Sequence, residues 1–307
     1  MGKVAFVFPG QGSQKVGMGK AVHDAFDVAR SVFEAADEAL GSSISTLCFE
    51  GPESELTLTA NTQPALVTTS IALLRALDVR CDVAAGHSLG EYAAHVAAGT
   101  LDFADAVRLV RKRGGYMQDA VPVGVGAMAA ILKAERALVE EVCAATPGVV
   151  EAVNFNAPGQ IVIAGEAEAV AAASATLETH KARAMKLPVS APFHSSLMKP
   201  AEERLAVDLA AATFRDPSFP VYVNVDAAPV ATGDAARDAL VRQVSRAVRW
   251  DESVLRMVAD GVTLFVEIGQ GSALTGMIKR IAPDVARANV QGPDDLDAAR
   301  AAIAAHR

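Results

Sequence analysis

Short apolar runs alternate with longer stretches of helical period over the first third of the chain. KVAFVF at residues 3–8 predicts a strand. Residues 19–40 predict an amphipathic helix and residues 63–78 a largely buried one, because their apolar positions recur at three- and four-residue spacing. Residues 79–85 read as a second strand, which runs into a glycine–serine–glycine stretch. Strands that alternate with helices in this way predict an α/β fold with a mostly parallel sheet.

The rhythm changes at about residue 124. GAMAAIL (126–132) predicts a strand, 134–146 a helix, 149–156 and 160–165 two strands across Ala157-Pro158-Gly159, 167–180 a helix and 183–190 a strand. This β-α-β-β-α-β order is that of a ferredoxin-like unit. It predicts a small inserted domain at 124–191, bounded by the glycine-rich PVGVGA and the proline-bearing PVSAPFHS. A larger α/β domain is then made of 1–123 and 192–307, with helices expected at 195–212 and 234–243, a strand at 262–269 and a final helix from Asp294. No fixed-period repeat or low-complexity linker interrupts the pattern.

Composition narrows the function. With 307 residues, 51% of them hydrophobic, the chain has enough apolar material for one large core or two domains. A net charge of −8 argues against a general nucleic-acid or membrane-surface binder, while leaving room for a local basic patch. Cys48, Cys81 and Cys143 are far apart and show no CxxC spacing, so neither a disulfide framework nor a zinc site is expected and a cytoplasmic location is. The apolar run near the start is too short for a signal-peptide core, and Phe6 stands where a myristoylation motif beginning Met1-Gly2 wants Ser or Thr.

The chemistry centres on Ser88. Gly86-x-Ser88-x-Gly90 fits a nucleophile elbow, a tight strand-to-helix turn that exposes a hydroxyl. Ser88-Leu89-Gly90-Glu91 fits a capping box equally well, and the motif alone does not choose between them. A nucleophile needs a base. His87 is adjacent to Ser88 and points elsewhere; His95 lies seven residues down the helix, a rise of about 10 Å, and reads as a helix-face residue. His23 and His180 sit among charged residues of amphipathic helices, and His306 is near the last residue. His194, on a loop after a strand and a proline turn, is left as the candidate base. An oxyanion hole needs backbone donors: Leu89 follows the nucleophile, and the loop FPGQGSQ (8–14) carries glycines that let its backbone approach a ligand. Lys15 stands where a dinucleotide fingerprint needs its third glycine.

These residues resemble the malonyl-CoA:acyl carrier protein transacylases of fatty-acid synthesis. The resemblance runs through FPGQGSQ, TQPAL (62–66), GHSLGEY (86–92), VRKRGGYMQ (110–118), GAMAAI (126–131), VNFNAPGQIVIAG (153–165), PFHSSLMKPA (192–201) and EIGQGSALTGMIKRI (267–281). It implies a hydrolase-like large α/β subdomain and a ferredoxin-like small one. It implies Ser88 as nucleophile, His194 as its base, Gln11 and Leu89 as oxyanion-hole N–H donors, Arg113 as receptor of the substrate carboxylate, and the main-chain carbonyl of Gln243 as the group that orients the histidine. Two positions bear on the match. Gly269-Gln270-Gly271 stands where the family commonly has GPG, and Phe193 before the histidine accompanies malonyl rather than methylmalonyl selection in related polyketide acyltransferases.

The implied reaction is ping-pong, from malonyl-CoA through a malonyl-serine ester to the phosphopantetheine thiol of holo acyl carrier protein, with no metal or redox cofactor. The acidic carrier would meet a local basic surface, for which Lys181, Arg183, Lys186, Lys279 and Arg280 are candidates. Neither nucleic acid nor membrane is an expected partner. An esterase or thioesterase on the same elbow, an acyltransferase of polyketide synthesis, and an idle binding domain in which Ser88 is only a cap are the competing readings.

Overall fold

The computed structural model describes residues 2–189 and 191–307; Met1 and Ser190, the last residue of the strand expected at 183–190, lie outside it. The strands are β1 (Lys3–Phe8), β2 (Val83–Gly86), β3 (Gly126–Leu132), β4 (Val150–Ala157), β5 (Gln160–Glu166), β6 (Arg183–Lys186), β7 (Val221–Val223), β8 (Ala228–Val230), β9 (Val262–Ile268) and β10 (Ala286–Val290). They form two sheets.

The larger sheet has the order β10-β9-β1-β2-β7-β8. Every pairing in it is parallel except β7 with β8. β1 lies at its centre, covered on both faces, which is why its five residues after Lys3 are all buried and read as an unbroken apolar run. The chain leaves β1 toward β2 on one side and later returns to β9 on the other. Crevices at such switch points, outside the carboxyl ends of the strands, are where α/β sheets take ligands.

The second sheet, with the order β4-β5-β3-β6, is antiparallel throughout. Helices Arg136–Ala145 and Ala167–Thr179 cover one of its faces and bury Val139, Val142, Val170 and Leu177 with its inward-pointing residues. That is the ferredoxin-like order and pairing expected from the pattern.

Local departures have local causes. The single helix expected over 19–40 is two, Lys20–Ala25 and Asp27–Leu40, because Phe26 is extended (φ −133°, ψ 123°) and packs its ring against the core. The helix at 195–212 begins as a 3₁₀ turn, Ser196–Met198, before Lys199–Ala211. The hairpin of β7 and β8 and the strand β10, of three to five residues each, carry too little periodic signal to be expected, and the helix Trp250–Ala259 is not expected either although its buried Trp250, Val254 and Met257 recur at helical spacing. No helix is long and apolar enough to cross a membrane among the described residues.

Candidate active site

Ser88 sits between the end of β2 and the helix Gly90–Ala97 with φ +52°. This left-handed conformation costs a non-glycine residue roughly 1–2 kcal/mol. The flanking glycines are there for space. A Cβ on Gly86 would lie 1.9 Å from the Gly90 carbonyl carbon, and one on Gly90 would lie 2.1 Å from the Phe8 carbonyl oxygen. The turn is therefore folded tightly onto itself and onto β1, and the hydroxyl projects from its apex.

The capping box does not form. The helix has no side-chain cap. Glu91 is buried and accepts instead from the Asn224 backbone N–H at 2.7 Å. Burial raises the Glu91 carboxyl to about 7, with the Asn224 hydrogen bond opposing the shift.

The Ser88 hydroxyl lies 2.8 Å from His194 Nε2, and His194 Nδ1 lies 2.8 Å from the Gln243 carbonyl oxygen. A carbonyl only accepts, so Nδ1 carries the proton and the Nε2 lone pair faces the serine. His194 also has positive φ, +66°, so both members of the pair are held in strained backbone. Burial, reinforced by the Arg113 charge, lowers the His194 imidazole to about 3.

Arg113, from helix Phe103–Asp119, is 1% exposed. Its Nη2 donates to the Ser88 hydroxyl at 3.1 Å and to Gln243 Oε1 at 3.0 Å, and its Nη1 donates to Gln63 Oε1 at 2.8 Å. None of these partners is anionic, and its Nε has no partner among the described residues. Its hydrogen bonds thus go only to neutral groups, and the acid whose charge acts on it, the buried Glu91 carboxyl, makes no direct hydrogen bond to it among the described residues, so burial still lowers its pKa. It is a cation whose Nη2 lies at the hydroxyl.

A cavity of about 610 Å³ opens over these groups. The loop after β1, including Gln11, forms one wall with Leu89; Met128, Asn156 and Val162 of the second sheet face them, and Leu274 and Met277 of helix Ala273–Ile281 close an end. Phe193 lines it as well. The Gly269-Gln270-Gly271 turn packs on the β1 loop, where a Cβ on Gly269 would lie 2.6 Å from Pro9 Cγ. All six residues singled out from the sequence thus border one space or bond to its contents.

Sequence reasoning missed part of the site. Gln63, which the sequence places in a buried helix and in the motif TQPAL without a role, orients Arg113. Asn224 was not singled out, although an asparagine ending the apolar run VYV is a usable signal of a polar group drawn into a core. His87 points away from the serine as expected, but it reaches the second sheet, with Nε2 at 2.8 Å from Asn156 Oδ1. His95 is fully buried rather than on an outer face, and His23 packs against Phe33 and Phe49. The five cations considered for the carrier are all exposed; Arg280 bonds to Gln160 and to the Pro158 carbonyl.

Residues 5–302 match the acyl transferase domain family. The malonyl CoA-acyl carrier protein transacylase of Escherichia coli K12 is 49% identical over 306 residues, 97% of this chain and 99% of the relative. That of Bacillus subtilis is 45% identical over 97% of this chain and 96% of the relative. Among solved structures, the acyl-carrier-protein S-malonyltransferase of Burkholderia pseudomallei is 49% identical with a TM-score of 0.94, covering 97% of this chain and 99% of its own. A malonyl-transacylase solved in complex with a type II polyketide synthase acyl carrier protein is 44% identical with the same TM-score, covering 97% of this chain and 98% of its own.

Proposed function

The chain belongs to the malonyl-CoA:acyl carrier protein transacylases of the acyl transferase family, and on that premise we propose a division of labour among its residues. The enzyme transfers malonyl from malonyl-CoA to the phosphopantetheine thiol of holo acyl carrier protein. Ser88 is the nucleophile. His194 Nε2 takes its proton as the oxygen attacks the thioester, and Gln243 keeps the imidazole in the required tautomer and orientation, the task a carboxylate performs in a triad. The backbone N–H groups of Gln11 and Leu89 hold the oxyanion. The thiolate of CoA leaves, protonated by His194. The carrier's thiol then attacks the malonyl-serine ester with His194 again as base, which restores the hydroxyl.

Arg113 receives the free carboxylate of the malonyl group through two parallel hydrogen bonds. Its present contact to the Ser88 hydroxyl puts it within one short acyl chain of the reacting carbon. No step requires a metal or redox group, because proton, nucleophile and oxyanion are all served by the chain's own atoms.

We assign the reaction to the cytoplasm and to fatty-acid elongation, and the chain to two units, 1–123 with 192–307 and 124–191. The three cysteines are unpaired and buried, in keeping with a reducing compartment.

The single observation that carries this reading is the hydrogen-bonded line from Gln243 through His194 to Ser88, with a buried guanidinium on the same hydroxyl. The test is incubation with radiolabelled malonyl-CoA, with and without holo carrier protein. The expected result is one labelled serine per chain, mapped to Ser88, discharged to carrier protein and absent in Ser88→Ala. Labelled adduct on Ser88→Ala would overturn the assignment; release to water at the same rate without carrier would make the enzyme a thioesterase.

A further inference from the structure

We infer that Asn224 is a positioning residue for the nucleophile, holding Ser88 in its left-handed conformation; this rests on the reading of Ser88 as the acylated residue. Asn224 follows β7, the strand beside β2, and is fully buried. Each of its polar groups is engaged. Oδ1 accepts the Ser88 N–H at 2.7 Å, and Nδ2 donates to the Gly86 carbonyl at 2.7 Å. Its backbone N–H donates to Glu91 Oε2 at 2.7 Å, and its carbonyl accepts from the Arg249 N–H at 3.0 Å. One side chain thus grips the elbow on both sides of the strained residue, and one backbone amide grips the helix that leaves it.

Gln243 completes the clamp. Its Nε2 donates to the Ser88 carbonyl at 3.0 Å and to Asn224 Oδ1 at 3.4 Å, while its own carbonyl receives His194. Both peptide groups of Ser88 are therefore fixed by amide side chains of Asn224 and Gln243. Strained backbone persists only where its surroundings over-determine it. The Ser88 N–H donates to Asn224 Oδ1, and no second acceptor for it is present among the described residues. Without Asn224, the turn has freedom to relax toward ordinary φ, which swings the hydroxyl away from His194 Nε2. Substrate contacts through Arg113 and the cavity wall stay in place, so the loss belongs to kcat rather than KM.

The experiment compares wild type with Asn224→Ala, Asn224→Asp and Val223→Ala. Val223 is a buried neighbour on the same strand and serves as a control for loss of stability alone. For each variant, Tm, the kcat and KM for malonyl transfer, and the rate of Ser88 inactivation by a small fluorophosphonate are measured. The Asn224 variants should lose about 10- to 100-fold in kcat, the scale for a misplaced reacting group, with KM within a factor of about three. Inactivation by the fluorophosphonate should slow in parallel, although that probe makes no use of Arg113.

Aspartate keeps the acceptor for Ser88 N–H, but when ionised it repels the Gly86 carbonyl and when protonated it can donate to it. Asn224→Asp should therefore recover part of its kcat as pH falls, and it supplies the answer if the alanine variant does not fold. Wild-type kcat in either Asn224 variant, a defect confined to KM, or an equal kcat loss in Val223→Ala at matched Tm would overturn the inference. Label on Ser88 in wild type and its absence in Ser88→Ala show that the nucleophile assignment stands independently; label persisting in Ser88→Ala would remove the premise instead.

Discussion

At the scale of single residues, the site is built around one buried guanidinium and one buried imidazole. A malonyl group differs from an acetyl group by a carboxylate, which leaves water at low cost only if a fixed opposite charge meets it. On the proposed reading Arg113 supplies that charge, and its hydrogen bonds go to neutral groups only. Removing one member of a buried charged pair costs about 2–5 kcal/mol, so Arg113→Ala should lower kcat/KM for malonyl-CoA by roughly 30-fold to several thousand-fold. Acetyl-CoA makes no such contact and its slow transfer should be spared; equal loss for both substrates would show that Arg113 serves the fold. The same charge acts on His194, which burial and Arg113 together lower to about 3. A lowered pKa keeps the imidazole neutral, and competent as a base, as pH falls. The free-enzyme profile, kcat/KM for malonyl-CoA, should therefore show no histidine limb from pH 7.5 to well below about 6.5, the pH at which an ordinary histidine is half protonated, and any inflection near pH 7 belongs to the buried Glu91 carboxyl. A malonyl carboxylate on Arg113 cancels part of that influence, so the acid limb for deacylation of the malonyl-enzyme should lie at higher pH than the limb for the free enzyme. Coincident limbs in single-turnover measurements of the two half-reactions would contradict this.

At the scale of elements, helix Phe103–Asp119 delivers Arg113 by packing on helix Thr59–Leu77, and two consecutive glycines separate packing from propensity. A Cβ on Gly114 would lie 2.6 Å from the Thr59 carbonyl oxygen and 2.7 Å from Ala60 Cα, whereas one on Gly115 meets nothing within 4 Å. Gly115→Ala should raise stability by about 0.5–1 kcal/mol through helix propensity alone, with malonyl transfer unchanged. Gly114→Ala should separate the two helices, shift Arg113 from Gln63, and lower both Tm and malonyl selectivity. Thermal melts and the malonyl-to-acetyl ratio of kcat/KM check both; a Gly114→Ala variant that matches Gly115→Ala would mean the helices are not in the contact described. The predicted elements that matched best were long or strongly periodic, such as β3, β5 and the helices covering the second sheet. Those that did not, β7, β8 and β10, have only three to five residues and depend on neighbouring strands.

At the scale of the whole molecule, the net charge of −8 opposes an acidic carrier, so docking relies on local cations. Lys279 is exposed on helix Ala273–Ile281, whose first two turns line the cavity. Lys279→Glu should raise KM for holo carrier protein several-fold, more at low salt than at high salt because the interaction is screened. The burst of Ser88 acylation by malonyl-CoA should keep its amplitude and rate. An unchanged carrier KM would move docking to another face.

The α/β alternation, the β-α-β-β-α-β unit, the elbow serine and the two loops that approach it are legible in the chain alone, because each is encoded by periodicity or by glycines within a few residues. The sequence also left His194 as the one histidine suitably placed to act as base. Packing of distant segments shows that Ser88 is not a helix cap, that Arg113 is buried with only neutral hydrogen-bond partners, and that Asn224 and Gln63 belong to the site. The bonds that decide these points join residues 106, 136 and 50 positions apart. Local pattern reports which residues want burial; only the packed sheet brings a polar group from a distant strand to the one backbone N–H that needs it.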